Sequence, residues 1–151
     1  MDILIEKSRR LLTAQDQGVI FLRVPVRLGF GADDGPKLRE GDGRTLEGNY
    51  VISSRNPASR FFRSLGLSYP NPQDALRGLQ AGLIDEAAYR RLVSSPNRPA
   101  WDTPLGGFVM IHGTPPARQG DWTHGCIALE NEAIATLFRR ARLGDTVRIL
   151  P

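Results

Sequence analysis

The chain has 151 residues, of which 40% are hydrophobic and 24% charged. It is long enough to bury a core without staples, and its profile is that of one globular domain rather than of a membrane-spanning protein, since no stretch approaches the ~20 apolar residues a span needs. The net charge of +4 comes from eighteen arginines and two lysines, Lys7 and Lys37, against sixteen acidic residues; the arginines are spread along the chain instead of forming a stripe, which argues against nucleic acid and leaves only a weak general attraction to anionic polymers.

The N-terminal MDILIEKSRRLL has no continuous apolar segment of the signal-peptide kind, which leaves open both a cytoplasmic protein and one whose leader has been removed. Ile3 to Lys7, Arg10 to Thr13 and Gly18 to Arg27 read as strands, broken by polar turns such as AQDQG. GFGADDGPK (29–37) and EGDGRTLEG (40–48) are glycine-rich loops, in which Glu40, Asp42, Arg44 and Glu47 are expected to form a buried turn network, and GNYVISS (48–54) returns to strand. NPQDALRGLQAG (71–82) has proline just inside a helix start and glycine at its end. IDEAAYRRLVSS (84–95) offers Asp85 as a cap, so a helical insertion is predicted at about 71–95. After the proline-broken SPNRPAWDTP (95–104), GGFVMIHG (106–113) reads as a buried strand. NEAIATLFRRARLG reads as a helix with Asn131 as cap and an apolar stripe of Ile134, Leu137, Phe138 and Ala141, and DTVRIL (145–150) closes as a strand. The sum is a single mainly β domain over 1–151 with inserted helices, an α+β fold.

Both histidines and the only cysteine fall between His112 and Cys126. One cysteine makes no intramolecular disulfide, and a lone cysteine is commonly core filler. Here the neighbours argue otherwise. Gly125 before the thiol lets the backbone bend so that N–H groups can converge on one point. His112 ends a strand and precedes Gly113, and an imidazole is the base a thiol with a free pKa of about 8.5 needs near neutrality. A metal site is the alternative, with His112, His124 and Cys126 as ligands and Asp121 as a fourth, but the spacing is not that of a structural zinc site and no C-x-x-C is present.

The pattern Ile111-His112-Gly113, a spacer, then Thr123-His124-Gly125-Cys126 resembles the L,D-transpeptidase catalytic domain, the YkuD family; DWTHGCIAL is similar to its subgroup with D-W-T-x-G-C-I-A. EGDGRTLEGNYVI (40–52), SSRNPASRFF (53–62), SLGLSYPN (64–71) and GDTVRILP (144–151) fit the same subgroup, so the resemblance covers nearly the whole chain. It implies a β-sandwich-like domain working on peptidoglycan stem peptides, without cofactor or metal, in the periplasm or cell envelope. The cysteine attacks the stem tetrapeptide, D-alanine leaves, and the thioester passes to an amine: another stem, a D-amino acid or a wall-anchored lipoprotein. Water as acceptor gives a hydrolase on the same scaffold, a carboxypeptidase, an endopeptidase or a secreted effector. A non-catalytic wall-binding module and a metal-dependent hydrolase are weaker alternatives.

By the same resemblance Cys126 is the nucleophile and His112, rather than His124, the base, with the carbonyl of Gly113 fixing its tautomer. The N–H groups of Gly125 and Cys126 are expected to form the oxyanion hole, lined by His124. Trp122, Thr123, Arg55, Tyr69 and Asn71 are expected at the substrate. The chain departs from the family in two places. Cys126 is followed by Ile127 and Ala128 where many members carry an arginine second, so Arg55 or Arg118 would have to meet the substrate carboxylate, and the T-P-x-G turn appears as Thr45-Leu46-Glu47-Gly48.

Overall fold

The computed structural model describes residues 1–115 and 118–151. Eight strands form one continuous sheet: β1 (Asp2–Glu6), β2 (Leu11–Asp16), β3 (Val19–Pro25), β4 (Gly48–Ser59), β5 (Phe62–Leu67), β6 (Met110–Gly113), β7 (Ile127–Leu129) and β8 (Thr146–Leu150), in the order β3-β2-β1-β8-β4-β5-β6-β7. The helices are α1 (Pro72–Gln80), α2 (Glu86–Val93) and α3 (Asn131–Arg140).

The first half of the sheet follows from alternation. Ile3 pairs with Ala14 on one side and Val147 on the other, and Ile5 with Leu12 and Ile149. All are buried, so one face of each strand goes inward. β4 joins the two halves. Gly48 to Val51 pair with β8 and Ile52 to Ser59 with β5, and Ser53 is the extra residue where the register shifts between Ile52 and Ser54. Such a bulge bends its strand. The sheet turns over there, and Ile52, Leu65, Leu67, Ile111 and Ile127 of the second half share one core with Ile3, Ile5, Leu12 and Val147 of the first, the sandwich-like arrangement expected. α3 adds Ile134, Leu137 and Phe138 to that core.

α1 and α2 form where expected. Asn71 and Asp74 make a reciprocal capping box with Pro72 in the first turn. Asp85 accepts from the Ala88 N–H at 2.8 Å. Ala75, Ile84, Leu92 and Leu105 make a small separate core. Three expectations change. α3 is capped by Glu130 without a side-chain bond, because Asn131 Oδ1 instead accepts from the Thr114 N–H across the fold. The strand at 106–113 shrinks to Met110–Gly113, since Gly106 and Phe108 take φ of 80° and 55°, outside strand geometry. β5 went unread because four of its six residues, Ser64 to Leu67, are buried in succession, which leaves no alternation to read.

Candidate active site

β6 and β7 run parallel, with Ile111 opposite Ile127 and His112 opposite Ala128. Ile111 and Ile127 point into the core. His112 therefore points to the other face, and the same register puts Cys126, one residue before β7, opposite Met110 on the face of His112. Histidine and cysteine thus meet as diagonal neighbours on two adjacent strands.

His112 is 3% exposed. Its Nδ1 lies 2.6 Å from the carbonyl oxygen of Gly113. A carbonyl only accepts, so Nδ1 carries the proton and Nε2 keeps its lone pair. The ring is stacked on Phe61 at 4.5 Å and meets the edge of Trp122 at 5.8 Å. Gly113 has to be glycine: a Cβ there would stand 2.5 Å from the Phe61 carbonyl oxygen and 2.4 Å from Asn131 Oδ1. Burial holds the His112 pKa below its ordinary value; the Gly113 bond opposes that and the nearby Arg60 adds to it. The imidazole is consequently neutral near pH 7.

The Cys126 thiol is half-buried, and its Sγ lies 3.6 Å from the Phe108 carbonyl oxygen. Burial pushes its pKa up, against the Met110 N–H and the charge of Lys37. The resting pair is then thiol and neutral imidazole, not thiolate and imidazolium. Lys37, buried by its pairing with Asp42 at 3.0 Å, holds its Nζ 3.8 Å from where a Cβ on Gly125 would stand.

The turn before Cys126 is built on Thr123. Its hydroxyl accepts from the Gly125 N–H at 3.1 Å and donates to the Cys126 carbonyl at 2.7 Å. Its backbone bonds to Leu28 and Phe30. Gly125 adopts φ of 131°, and a Cβ there would come 2.7 Å from the Arg44 carbonyl oxygen. Two expectations are corrected here. Thr123 is 2% exposed and shapes the turn instead of facing substrate. The Gly125 N–H is taken by Thr123 and is not free for an oxyanion, which leaves the Cys126 N–H and the exposed His124, whose ring packs edge-on against Phe30 at 5.5 Å.

The other expected substrate residues separate. Trp122 stays at the site, between Phe61, His112 and the Arg118 guanidinium. Tyr69 is 1% exposed, with its hydroxyl donating to the Leu105 carbonyl, so it is a core residue and not part of a cleft edge. Asn71 spends its side chain on capping α1 and on the Asn49 carbonyl. Arg55 donates to the Phe138 carbonyl at 2.7 Å, near the end of α3, and lies over that residue's ring. Asp121 binds the Leu28 N–H and Arg10, and among the described residues no three His, Cys, Asp or Glu side chains gather into a metal-holding group. The loop network is present in part: Asp42 takes the N–H groups of Leu38, Arg39 and Arg44, and Glu47 pairs with Lys7, while Glu40 is exposed. Phe61, Phe108 and Lys37 belong to the site and were not anticipated. The one available signal was Lys37, a rare lysine in a chain that otherwise uses arginine.

Comparison with known proteins bears on the fold and the family. The chain is 25% identical over 107 residues to the putative L,D-transpeptidase YafK of Escherichia coli strain K12, covering 70% of the chain and 31% of that protein. Its fold matches the helical cell shape determining protein Pgp2 of Campylobacter jejuni with TM-score 0.67 and 21% identity, and Bd1075 of Bdellovibrio bacteriovorus with TM-score 0.63 and 21% identity; each match covers 98% of the chain and 46% of the other. The chain thus spans about a third of the curated relatives and under half of these solved structures. The family model of the L,D-transpeptidase catalytic domain matches residues 1–149, and the chain belongs to this family, YkuD.

Proposed function

We propose that this domain is a cysteine acyltransferase that acts on peptidoglycan stem peptides at the cell envelope. The observation that carries the reading is the tautomer of His112: with Nδ1–H on the Gly113 carbonyl, Nε2 is the free base on the face that holds Cys126. Sγ attacks the carbonyl of the peptide bond that precedes D-alanine while His112 Nε2 takes the thiol proton. The new S–C bond leaves a tetrahedral oxyanion, held by the Cys126 N–H with His124 beside it and the positive charge of Lys37 close by. As the C–N bond breaks, His112 returns that proton to the leaving amine and a thioester remains. An incoming amine then gives a proton to His112, attacks the thioester carbonyl and expels Sγ, which recovers the proton. The acceptor is an amine of another stem, a D-amino acid or an anchored lipoprotein.

Hydrolysis is the second reading, and one observation favours it. Phe108, whose carbonyl touches Sγ, is 62% exposed, and His124 is exposed too, so water has a path to the thioester. Incubation of tetrapeptide muropeptides with the protein and with Cys126→Ala, read by mass spectrometry, separates the readings. Cross-linked or amine-exchanged products absent from the variant support transfer, and tripeptides alone mean hydrolysis. Turnover that persists in Cys126→Ala would overturn both.

A further inference from the structure

Among the described residues the Cys126 thiol does not bond to His112; it donates to the Phe108 carbonyl oxygen, with Sγ at 3.6 Å. A thiol has one proton to give. The proton that rests on Phe108 is therefore not offered to His112 Nε2, although that base stands on the same face.

The backbone of Phe108 is unusual. Its φ of 55° is a left-handed conformation that a bulky side chain seldom takes. Arg10, Gln17 and Phe62 share that sign of φ, but they stand at the connections β1–β2, β2–β3 and β4–β5, where the chain reverses. Phe108 stands just before β6, where no hairpin asks for it. Within a regular strand, carbonyls lie in the plane of the sheet and face the neighbouring strands. A left-handed residue just before the strand lets one carbonyl meet a side chain on the face instead. Three contacts hold it there. The Phe108 ring packs on Trp101 at 4.3 Å. Trp101 lies so close on Gly107 that a Cβ there would stand 2.3 Å from its ring. Val109, next in the chain, is in the main core, and its carbonyl accepts from the Leu67 N–H at 3.0 Å. The Phe108 ring itself is 62% exposed, so burying that ring is not what the strain serves. Strain of this kind persists only where the surroundings enforce it, and it collects at working sites.

A carbonyl oxygen accepts from a thiol and has nothing to give a thiolate, so the contact favours the acid form of the sulfur. The Met110 N–H and the charge of Lys37 pull the other way. His112 on β6, His124 two residues before the thiol and Glu40 against Gly106 complete the titratable groups around this segment. We infer that Phe108 is a positioning residue: its left-handed backbone latches Cys126 as a thiol in one orientation. The latch opens when the proton passes from Sγ to His112 Nε2 as the S–C bond forms and the electron pair of the substrate C=O moves to its oxygen. The inference rests on the reading of Cys126 as nucleophile and His112 as base. Its effect is to keep the only thiol of the chain slow toward small electrophiles, which react with thiolate, until a peptide carbonyl is in place.

The test reads the pH dependence of Cys126 alkylation by iodoacetamide in the full chain. Phe108→Val keeps an apolar side chain, but its branched Cβ rejects left-handed backbone and should swing the carbonyl off Sγ. The alkylation midpoint should then fall by about half a pH unit or more, which makes the reaction about threefold faster near neutrality. Trp101→Ala takes away the ring that pins Phe108 and should move the midpoint the same way. Phe108→Asn lacks the phenyl ring but accepts the left-handed backbone, and should keep the midpoint of the unaltered protein. A midpoint unmoved in both Phe108→Val and Trp101→Ala would overturn the latch. An equal shift in Phe108→Asn would also overturn it, because the effect would then come from the ring covering the thiol. Alkylation needs no turnover. If it behaves as expected and the protein leaves tetrapeptide muropeptides unchanged, the acyl-transfer reading fails and the latch stands.

Discussion

A buried imidazole and a half-buried thiol both lose solvation when charged, and the shifts at His112 and Cys126 follow from that. The two shifts have opposite signs and favour the same neutral pair. The consequence is a pH profile unlike that of a preformed ion pair. His112 must be neutral to accept the proton, and its lowered pKa keeps it neutral further into acid, so the acid limb of kcat/KM should lie below the ~6.5 of free histidine. The rate of Cys126 alkylation by iodoacetamide should rise with pH through a midpoint above the ~8.5 of a free thiol. A thiolate plateau in mildly acidic solution would instead reveal an imidazolium–thiolate pair at rest. His112→Ala should lower kcat by roughly 10²–10⁴-fold, the size of a lost general base, and leave the alkylation midpoint nearly in place.

At the scale of elements, the turn that presents Cys126 depends on one hydroxyl. Thr123→Val removes the partner of both the Gly125 N–H and the Cys126 carbonyl, and should cost about 1–3 kcal/mol as two polar groups lose their bonds. In a domain of this size that is about 2–4 °C of Tm for each kcal/mol. Activity should fall further than stability, because the turn aims Sγ; Thr123→Ser should restore both. Equal activity in the Val and Ser variants would show that Gly125 alone holds the turn. The same turn illustrates what was readable in advance. Cys126, His112 and the glycines beside them stand out because thiol and imidazole are rare here and their chemistry is specific. α1 and α2 were legible because their caps, Asn71, Pro72 and Asp85, are local signals. The substrate-facing expectation for Tyr69, Asn71 and Thr123 fails because their burial and partners are set by distant segments: the Leu105 carbonyl, the Asn49 carbonyl and the loop at Leu28 and Phe30. Asn131 has the right residue type for a cap, but Thr114 reaches it first.

For the whole molecule, the two lysines act as internal ties. Lys7 on the first strand's end holds Glu47, and Lys37 holds Asp42 beneath the catalytic turn. Burial alone would raise the Asp42 pKa, but three N–H groups and Lys37 outweigh it and hold it below the usual carboxylate range. A lowered folded pKa gives stability that is present above the unfolded value of about 3.9 and is lost as pH falls through the folded value. Lys37→Met should cost about 1–3 kcal/mol, as Asp42 loses its charged partner and keeps its three N–H bonds. It should also move acid unfolding to higher pH, as measured by urea titration across acidic pH; an unmoved acid transition would show that the pair is uncoupled. A last consequence concerns the order in which the protein is made. β8 lies in the middle of the sheet, between β1 and β4, yet it is the final strand of the chain. During synthesis the sheet stays open between β1 and β4 until residue 150 is free to pair. The contact it makes spans almost the whole length of the chain, the slow kind to form. A chain cut before Thr146 therefore keeps the β6–β7 pairing that brings His112 and Cys126 together but leaves β1 and β4 without the strand that lies between them.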